Sequence, residues 1–454
     1  MRIAEIFALP ARTCIDYELN GNPIRQVDRP ACDADVVSTR HDARGRHVGY
    51  VVRTKTGAEV LVMERREPDE DWTGETLWSD RRTGGWSWGR PDPSDRQTVP
   101  GMLLARSAVL ESLRGRANLK DEVRDAEGNV TEAGLRAPQV GAVHGALAHW
   151  KGSDDLATVV LPTGTGKTET MLTLFAWERF GLLLVVVPTD ALRTQIAGKF
   201  QTMGLLGLFG VLAEGALLPV VGVVEHAFGS ADEASDLMRR CNVVVATMAV
   251  LDACSPDARD RIADLCPCLF IDEAHHGAAR TWQEFRTLFL KRPRNRALQF
   301  TATPYREDGR LIDGQVVFSY PLRKARAAGY FSEISLLPVF SWNEDTADED
   351  IAEAALAQLD RDEAAGFEHV VMARTSSIAR ATAVAAIYQR LAPHRRPVLV
   401  HSQIRTVARR EALNGLASGG VGVVVCVDML GEGFDFPRLK IAALHDVHKS
   451  LPVT

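Results

Sequence analysis

Leu161-Pro162-Thr163-Gly164-Thr165-Gly166-Lys167-Thr168 is the run on which the reading of this 454-residue chain turns. Before it, Ala157-Thr158-Val159-Val160-Leu161 is an apolar, β-branched run of strand type; after it, Thr168-Glu169-Thr170-Met171-Leu172-Thr173-Leu174-Phe175 reads as a helix. Glycines at such a strand-to-helix turn let several backbone N–H groups converge on one anion, and the helix N-terminus favours its charge. In a phosphate loop of this kind Thr163, Gly164, Thr165 and Gly166 line the cradle. Lys167 reaches the β- and γ-phosphates of a nucleotide, and the Thr168 hydroxyl ligates magnesium. The strict pattern has glycine where this chain has Leu161, but the flanking strand and helix supply the context that the loop requires.

A second run, Cys268-Leu269-Phe270-Ile271-Asp272-Glu273-Ala274-His275-His276, ends an apolar strand in two carboxylates. Asp272 is suited to hold Mg2+ through water, and Glu273 to orient or deprotonate an attacking water. An isolated Asp-Glu pair is commonly two solvated acids at a strand end. Downstream of a phosphate loop it points instead to hydrolysis of a nucleoside triphosphate. The expected ligands are ATP and Mg2+, with Lys167 and Glu273 as catalytic residues and Thr168 and Asp272 at the metal. His276, just past the acidic pair, joins the catalytic set as an imidazole able to link the γ-phosphate site to a second ligand.

Further motifs occur in order around these two. Leu135-Arg136-Ala137-Pro138-Gln139 precedes the loop, and Val187-Pro188-Thr189-Asp190-Ala191-Leu192-Arg193-Thr194-Gln195 follows it. Then come Val245-Ala246-Thr247-Met248-Ala249-Val250-Leu251, Phe300-Thr301-Ala302-Thr303-Pro304-Tyr305-Arg306 and Val427-Asp428-Met429-Leu430-Gly431-Glu432-Gly433-Phe434-Asp435-Phe436-Pro437. In content and order this set resembles the superfamily-two DEAD/DEAH-box helicases and nucleic-acid translocases over about residues 135 to 450. The resemblance implies that Gln139 reads adenine, that Thr189 and Thr247 sit at contacts with a phosphodiester backbone, and that Thr301 and Thr303 couple the ATP site to nucleic acid. It also places Gly433 and Asp435 at the nucleotide from a second motor domain. The wording Pro162-Thr163-Gly164-Thr165 and Phe300-Thr301-Ala302-Thr303-Pro304 is nearest the DNA-translocating relatives: type III restriction-enzyme motor subunits, excision-repair helicases and bacterial defence helicases. DNA is therefore the expected nucleic acid, with RNA second.

After Gly433 the chain runs through Ile441–Ser450 and stops at Thr454, without the glutamine- and arginine-bearing motif VI of these relatives. An arginine finger contributes roughly 10³–10⁵ in turnover. Two readings follow: an ATP-dependent DNA helicase or translocase motor, or a hydrolysis-deficient, ATP-binding DNA clamp or gene fragment. A partner polypeptide that completes the second motor domain or supplies a nuclease is expected in the second case.

The resemblance implies an α/β fold of tandem RecA-like domains on parallel sheets, the second incomplete, behind an N-terminal β-rich or α+β module. The expected boundaries are 1–130 for the accessory module, 131–325 for the first motor domain and 326–454 for the partial second. Alternating strand and helix runs from about 138 to 325 agree with a parallel sheet. Pro321–Gly329 reads as a helix, Phe331–Trp342 as a strand and Glu344–Asp350 as a solvated helix start. In the first 130 residues Val48–Arg53 and Ala58–Glu64 read as a hairpin. Trp72, Trp78, Trp86 and Trp88 lie among Arg81, Arg82 and Arg90, either as a small β core or as base-stacking residues. This region holds no recognisable nuclease constellation. With 53 Lys and Arg against 59 Asp and Glu the net charge is −6, so any nucleic-acid footprint is local. The seven cysteines lack zinc spacing, and no apolar run reaches the roughly 18 residues of a membrane-spanning helix. A reducing, cytoplasmic setting without a membrane is expected.

Overall fold

The computed structural model describes residues 6–446 apart from 42–43, 56, 65–71, 73, 81–84, 90–97, 277–279, 306–310, 332–334, 344, 402, 405–407, 409–410, 413–414, 417–418, 428–435 and 437. They form two compact units, Met1–Tyr330 and Phe331–Thr454.

The first unit opens with β1 (Ile6–Leu9), β2 (Arg12–Leu19), β3 (Asn22–Arg29), β4 (Cys32–His41), β5 (His47–Thr54), β6 (Glu59–Met63), β7 (Glu75–Asp80) and β8 (Gly85–Trp88). Then come α1 (Val99–Ser112), β9 (Val123–Arg124), β10 (Val130–Glu132), α2 (Ala137–Gly152), β11 (Ala157–Val160), α3 (Lys167–Glu178), β12 (Leu183–Val187) and α4 (Asp190–Thr202). It continues through β13 (Val221–Val224), α5 (Ala231–Met238), β14 (Val243–Thr247), α6 (Met248–Ala253), α7 (Pro256–Leu265), β15 (Cys268–Ile271), α8 (Arg280–Leu290), β16 (Arg296–Thr301), β17 (Gln315–Ser319) and α9 (Leu322–Ala327).

The first unit is built on a nine-stranded sheet, ordered β17-β11-β16-β15-β12-β14-β13-β3-β2. From β17 to β13 the neighbours run parallel. Parallel strands covered on both faces read as continuous apolar runs, and Leu183–Val187 and Val243–Thr247 are buried at every position. Alternation still sorts their side chains. Leu183, Val185 and Val187 join a core with Phe175, Phe270 and Phe300, while Leu184 and Val186 join another with Ile271, Phe285 and Phe289.

The last two strands of that sheet come from the N-terminal region. β3 pairs antiparallel with β13 through Val221↔Arg25 and Gly222↔Ile24. Asn22 secures the join: its Oδ1 accepts from the N–H groups of Glu225 at 2.7 Å and His226 at 2.8 Å, and its Nδ2 donates to the His226 carbonyl at 3.2 Å. The β2–β3 turn is Asn20-Gly21, both at positive φ (51° and 79°), the pairing that suits a two-residue hairpin. The expected boundary near residue 130 is thus crossed by backbone pairing. The remaining N-terminal strands form a separate six-stranded sheet, β1-β4-β5-β6-β7-β8, which includes the expected hairpin as β5 and β6. Trp72 and Trp78 pack against its small cores, while Trp86 is exposed; Arg81, Arg82 and Arg90 lie outside the described residues.

The second unit comprises α10 (Ala347–Ala364), β18 (Val370–Thr375), α11 (Ile378–Leu391), β19 (Val398–Val400), β20 (Val423–Val427) and β21 (Leu439–Leu444). Its parallel sheet is ordered β19-β20-β18-β21. The strand expected at Phe331–Trp342 does not form among its described residues: Leu336, Phe340 and Trp342 are 88%, 83% and 101% exposed. Apolar alternation makes a strand only where a sheet edge receives it, and these residues pair with none. Conversely β21, adjacent to β18, falls where no strand was expected. No helix of the described residues is long and apolar enough to cross a membrane.

Candidate nucleotide site

The sequence-predicted residues of the first unit gather at the C-terminal ends of the parallel strands. The phosphate loop follows β11, Thr189 follows β12, Thr247 ends β14, Asp272 and Glu273 follow β15, and Thr301 ends β16. That edge is where open parallel sheets bind ligands, because the helix N-termini converge there.

Gly164 and Gly166 sit at φ +81° and +96°, conformations that side chains rarely adopt. Gly166 is also closely approached, since a Cβ there would lie 1.9 Å from Gln139 Nε2. Thr165 is buried and closes the turn by donating its hydroxyl to the Pro162 carbonyl at 2.6 Å. Thr163 is exposed and Thr168 half-buried at the start of α3. Arg136 braces the loop by donating to the Gly164 carbonyl at 3.2 Å. Gln139 is 2% exposed; its Oε1 accepts from Arg136 N–H at 2.7 Å and its Nε2 approaches the Gly166 carbonyl at 3.5 Å. In this geometry Gln139 holds the loop against the first turn of α2.

Lys167 and Glu273 form a buried ion pair, Nζ to Oε1. The other carboxylate oxygen of Glu273, Oε2, is buried with no hydrogen-bond partner, and His275 Nδ1 lies 3.6 Å from it. Glu273 also adopts φ +49°, a left-handed backbone that costs a non-glycine residue about 1–3 kcal/mol and commonly marks a functional position. Asp272 accepts from the Glu273 N–H at 3.0 Å. Burial, with the Glu273 charge adding to it and Lys167 opposing, pushes the Asp272 carboxyl up to about 6.

The imidazole linking this centre to β16 belongs to His275. Its Nδ1 stands 3.2 Å from Thr301 Oγ1, and Thr301 donates in turn to the Thr303 carbonyl at 2.7 Å. Position 276 was the expected link, and its side chain lies outside the described residues; Ala274–His276 forms a 3-10 turn, and His275 within it meets Thr301. His275 was legible as the histidine of the Asp-Glu-Ala-His run. Choosing between adjacent histidines required the turn. Gly433 and Asp435 also lie outside the described residues.

Thr189 and Thr247 cap α4 and α6, each accepting from an N–H three residues on at 3.3 Å. Thr247 is only 3% exposed, so that position offers the helix N-terminus more than its hydroxyl. The seven cysteines are free thiols, and burial raises Cys241 and Cys266 to about 12, as befits core residues.

A resident triphosphate and Mg2+ fit these residues. The cradle admits no side chain at Gly166, the one buried ammonium beside it faces a carboxylate, and that carboxylate keeps an unsatisfied oxygen. Residues 132–306 match the family described as type III restriction enzyme, res subunit. A 50-residue stretch is 44% identical to UvrABC system protein B of Kosmotoga olearia, covering 11% of this chain and 8% of that protein. Among solved structures, the Mycobacterium smegmatis helicase Lhr bound to ssDNA and AMP-PNP is similar at 17% identity and TM-score 0.46, covering 67% of this chain and 41% of that one. The DEAD-box helicase Mss116 bound to ssRNA and UDP-BeF gives 17% identity and TM-score 0.45, with 70% and 65% covered. The matched stretch is thus less than half of the chain, and the chain covers 41% of the Lhr chain.

Proposed function

We propose that this chain is an ATP-dependent DNA motor that binds and hydrolyses ATP in response to DNA. The observation that carries the reading is Glu273: one carboxylate oxygen on Lys167, the other buried and unsatisfied beside the phosphate loop. ATP is the substrate, seated on Thr163–Thr168, with Gln139 and Arg136 bracing the loop. Thr168 and Asp272 would hold Mg2+, which neutralises phosphate-oxygen charge when bound. Lys167 exchanges Glu273 for phosphate oxygens as the nucleotide enters. Glu273, so released, orients and deprotonates the attacking water. His275 and Thr301, at the end of β16, carry the change to Thr303 just beyond it. The helix N-termini behind Thr189 and Thr247 receive the nucleic-acid backbone. The match to a restriction-enzyme subunit supports DNA ahead of RNA. The organisation proposed is an accessory region over 1–130, a first motor domain over 131–325 and a second over 326–454, where Gly433 and Asp435 would meet the nucleotide.

A second reading, an ATP-binding DNA clamp with little turnover of its own, draws support from the same ion pair, because Lys167 and Glu273 occupy each other. In that case a partner polypeptide would complete the motor. Steady-state ATP hydrolysis with duplex DNA, single-stranded DNA, RNA or no nucleic acid separates the two. The motor reading expects a DNA-stimulated rate that E273Q abolishes; ATP binding without turnover under every condition would overturn it in favour of the clamp.

A further inference from the structure

Arg136 reaches the phosphate loop through the Gly164 carbonyl, and the same guanidinium lies over an aromatic ring, its carbon 5.4 Å from the centroid of Tyr330. Tyr330 is the last residue of the first unit, and it is half-buried. Two contacts fix it. Its backbone closes the end of α9, the Tyr330 N–H donating to the Ala325 carbonyl at 3.1 Å beside Gly329 at φ +69°. Its side chain meets Tyr320 with ring centroids 6.4 Å apart, and the Tyr320 N–H donates at 3.0 Å to the carbonyl of Val160, the last residue of β11. The ring under Arg136 is thus tied to the strand that leads into the loop. Arg124 also lies 5.4 Å from the Tyr330 centroid, but it is engaged by its own hairpin, through Glu122 at 2.5 Å and the Gly128 carbonyl at 2.9 Å. Burial raises the Tyr330 phenol above its ordinary value, so the ring is neutral at physiological pH.

We propose that Tyr330 is a positioning residue of the nucleotide site: its ring holds the Arg136 guanidinium on the Gly164 carbonyl and so sets the form in which the loop meets phosphate. A long arginine left in solvent gives up rotamer freedom whenever it meets the carbonyl, whereas one laid on a fixed ring is already in place. In a cradle built of backbone N–H groups, the orientation of each peptide plane decides how well an anion is held, and Arg136 fixes the plane at Gly164. The inference rests on the ATP reading above and adds to it a residue that touches neither the loop nor the acidic strand end in sequence.

Titration of the full chain with a fluorescent ATP analogue and Mg2+, alongside thermal melts, tests it. Y330L, which keeps apolar volume and removes the ring, should bind the analogue about 2- to 30-fold more weakly, the span that loss of one cation–ring contact supports. Y330F should bind as wild type does. R136A should weaken binding too, and Y330L/R136A should be no weaker than R136A alone, because the ring acts only through the guanidinium. A ring that merely packs α9 would lower the melting temperature without this non-additivity. Y330Q replaces Y330L if the latter melts below the temperature of the titration. Wild-type affinity in the ring-less variant, or losses that add in the double variant, overturn the role of Tyr330 and leave the ATP reading standing. Failure of the wild-type chain to bind the analogue overturns both.

Discussion

Lys167 and Glu273 are 8% and 3% exposed, and each is the other's charge partner. Removing one side of such a pair leaves an uncompensated buried charge, which typically costs about 3–5 kcal/mol. K167A should therefore lower the melting temperature as well as abolish nucleotide binding, a combination that calorimetry and a fluorescent nucleotide would detect together. E273Q differs, because a neutral amide competes less for Lys167. It should bind ATP at least as tightly as wild type and turn it over about 10²–10⁴ times more slowly. Wild-type turnover by E273Q would remove Glu273 from the water-activating role.

Among the elements, β16 and α10 each carry a polar junction at one end. At the end of β16, Thr301 is wholly buried and its hydroxyl serves both His275 and Thr303. T301A with T303A should leave basal hydrolysis largely intact and remove its stimulation by DNA, while T301S should keep the stimulation; equal stimulation in all three would place the coupling elsewhere. At the start of α10, Asp348 accepts from Arg380 at 2.6 and 2.9 Å and stands 3.0 Å from His445 Nδ1. Burial works against the Asp348 carboxylate, but the Arg380 and His445 hydrogen bonds outweigh it and hold its pKa below the usual aspartate value. Burial lowers the pKa of His445, against the pull of Asp348. Both signs point the same way. A depressed histidine contributes stability that is present above about 6.5 and lost as pH falls below it, and a depressed aspartate contributes stability lost below about 3.9. The second unit should melt at lower temperature as pH falls from 7 towards 4. D348N should already be destabilised at pH 7, by about 1–3 kcal/mol for the weakened junction, and its midpoint should fall more steeply as pH drops towards 4, because His445 loses the carboxylate that opposes its depression. Thermal melts of wild type and D348N across that range, showing parallel curves, would count against the junction.

For the molecule as a whole, part of the N-terminal region packs into the core of the nine-stranded sheet. Ile15, Ile24 and Met102 are fully buried alongside Leu184, Val186 and Val244, and Val109 and Leu113 join the core on the other face of the sheet. Deleting about the first 130 residues would uncover those faces, each large apolar side chain exposed costing about 1.5–3 kcal/mol. The truncated chain should melt well below the full one and bind a fluorescent ATP analogue weakly, if it stays in solution. A truncated chain with the full chain's melting temperature would show that the nine-stranded sheet does not need β2 and β3.

The phosphate loop, the acidic strand end and the parallel α/β alternation were legible because each depends on local spacing: glycines at one turn, carboxylates at one strand terminus, apolar runs of strand length between helices. The hairpin at Val48–Glu64 was legible for the same reason. Asn20-Gly21 was an equally local signal of a turn, but which sheet that hairpin joins depends on Asn22 meeting Glu225 and His226, some two hundred residues away. Phe331–Trp342 had the pattern of a strand and lacked the neighbour that makes one. The site followed the same division. Residue types and their order named Lys167, Thr168, Asp272 and Glu273 as candidates. Only tertiary structure decided that His275 meets Thr301, that Glu273 is paired to Lys167 with one oxygen left over, and that Arg136 and Gln139 brace the loop. Those contacts join residues up to about a hundred positions apart, so no local spacing encodes them; they exist because parallel strands bring their C-terminal ends to one edge of the sheet.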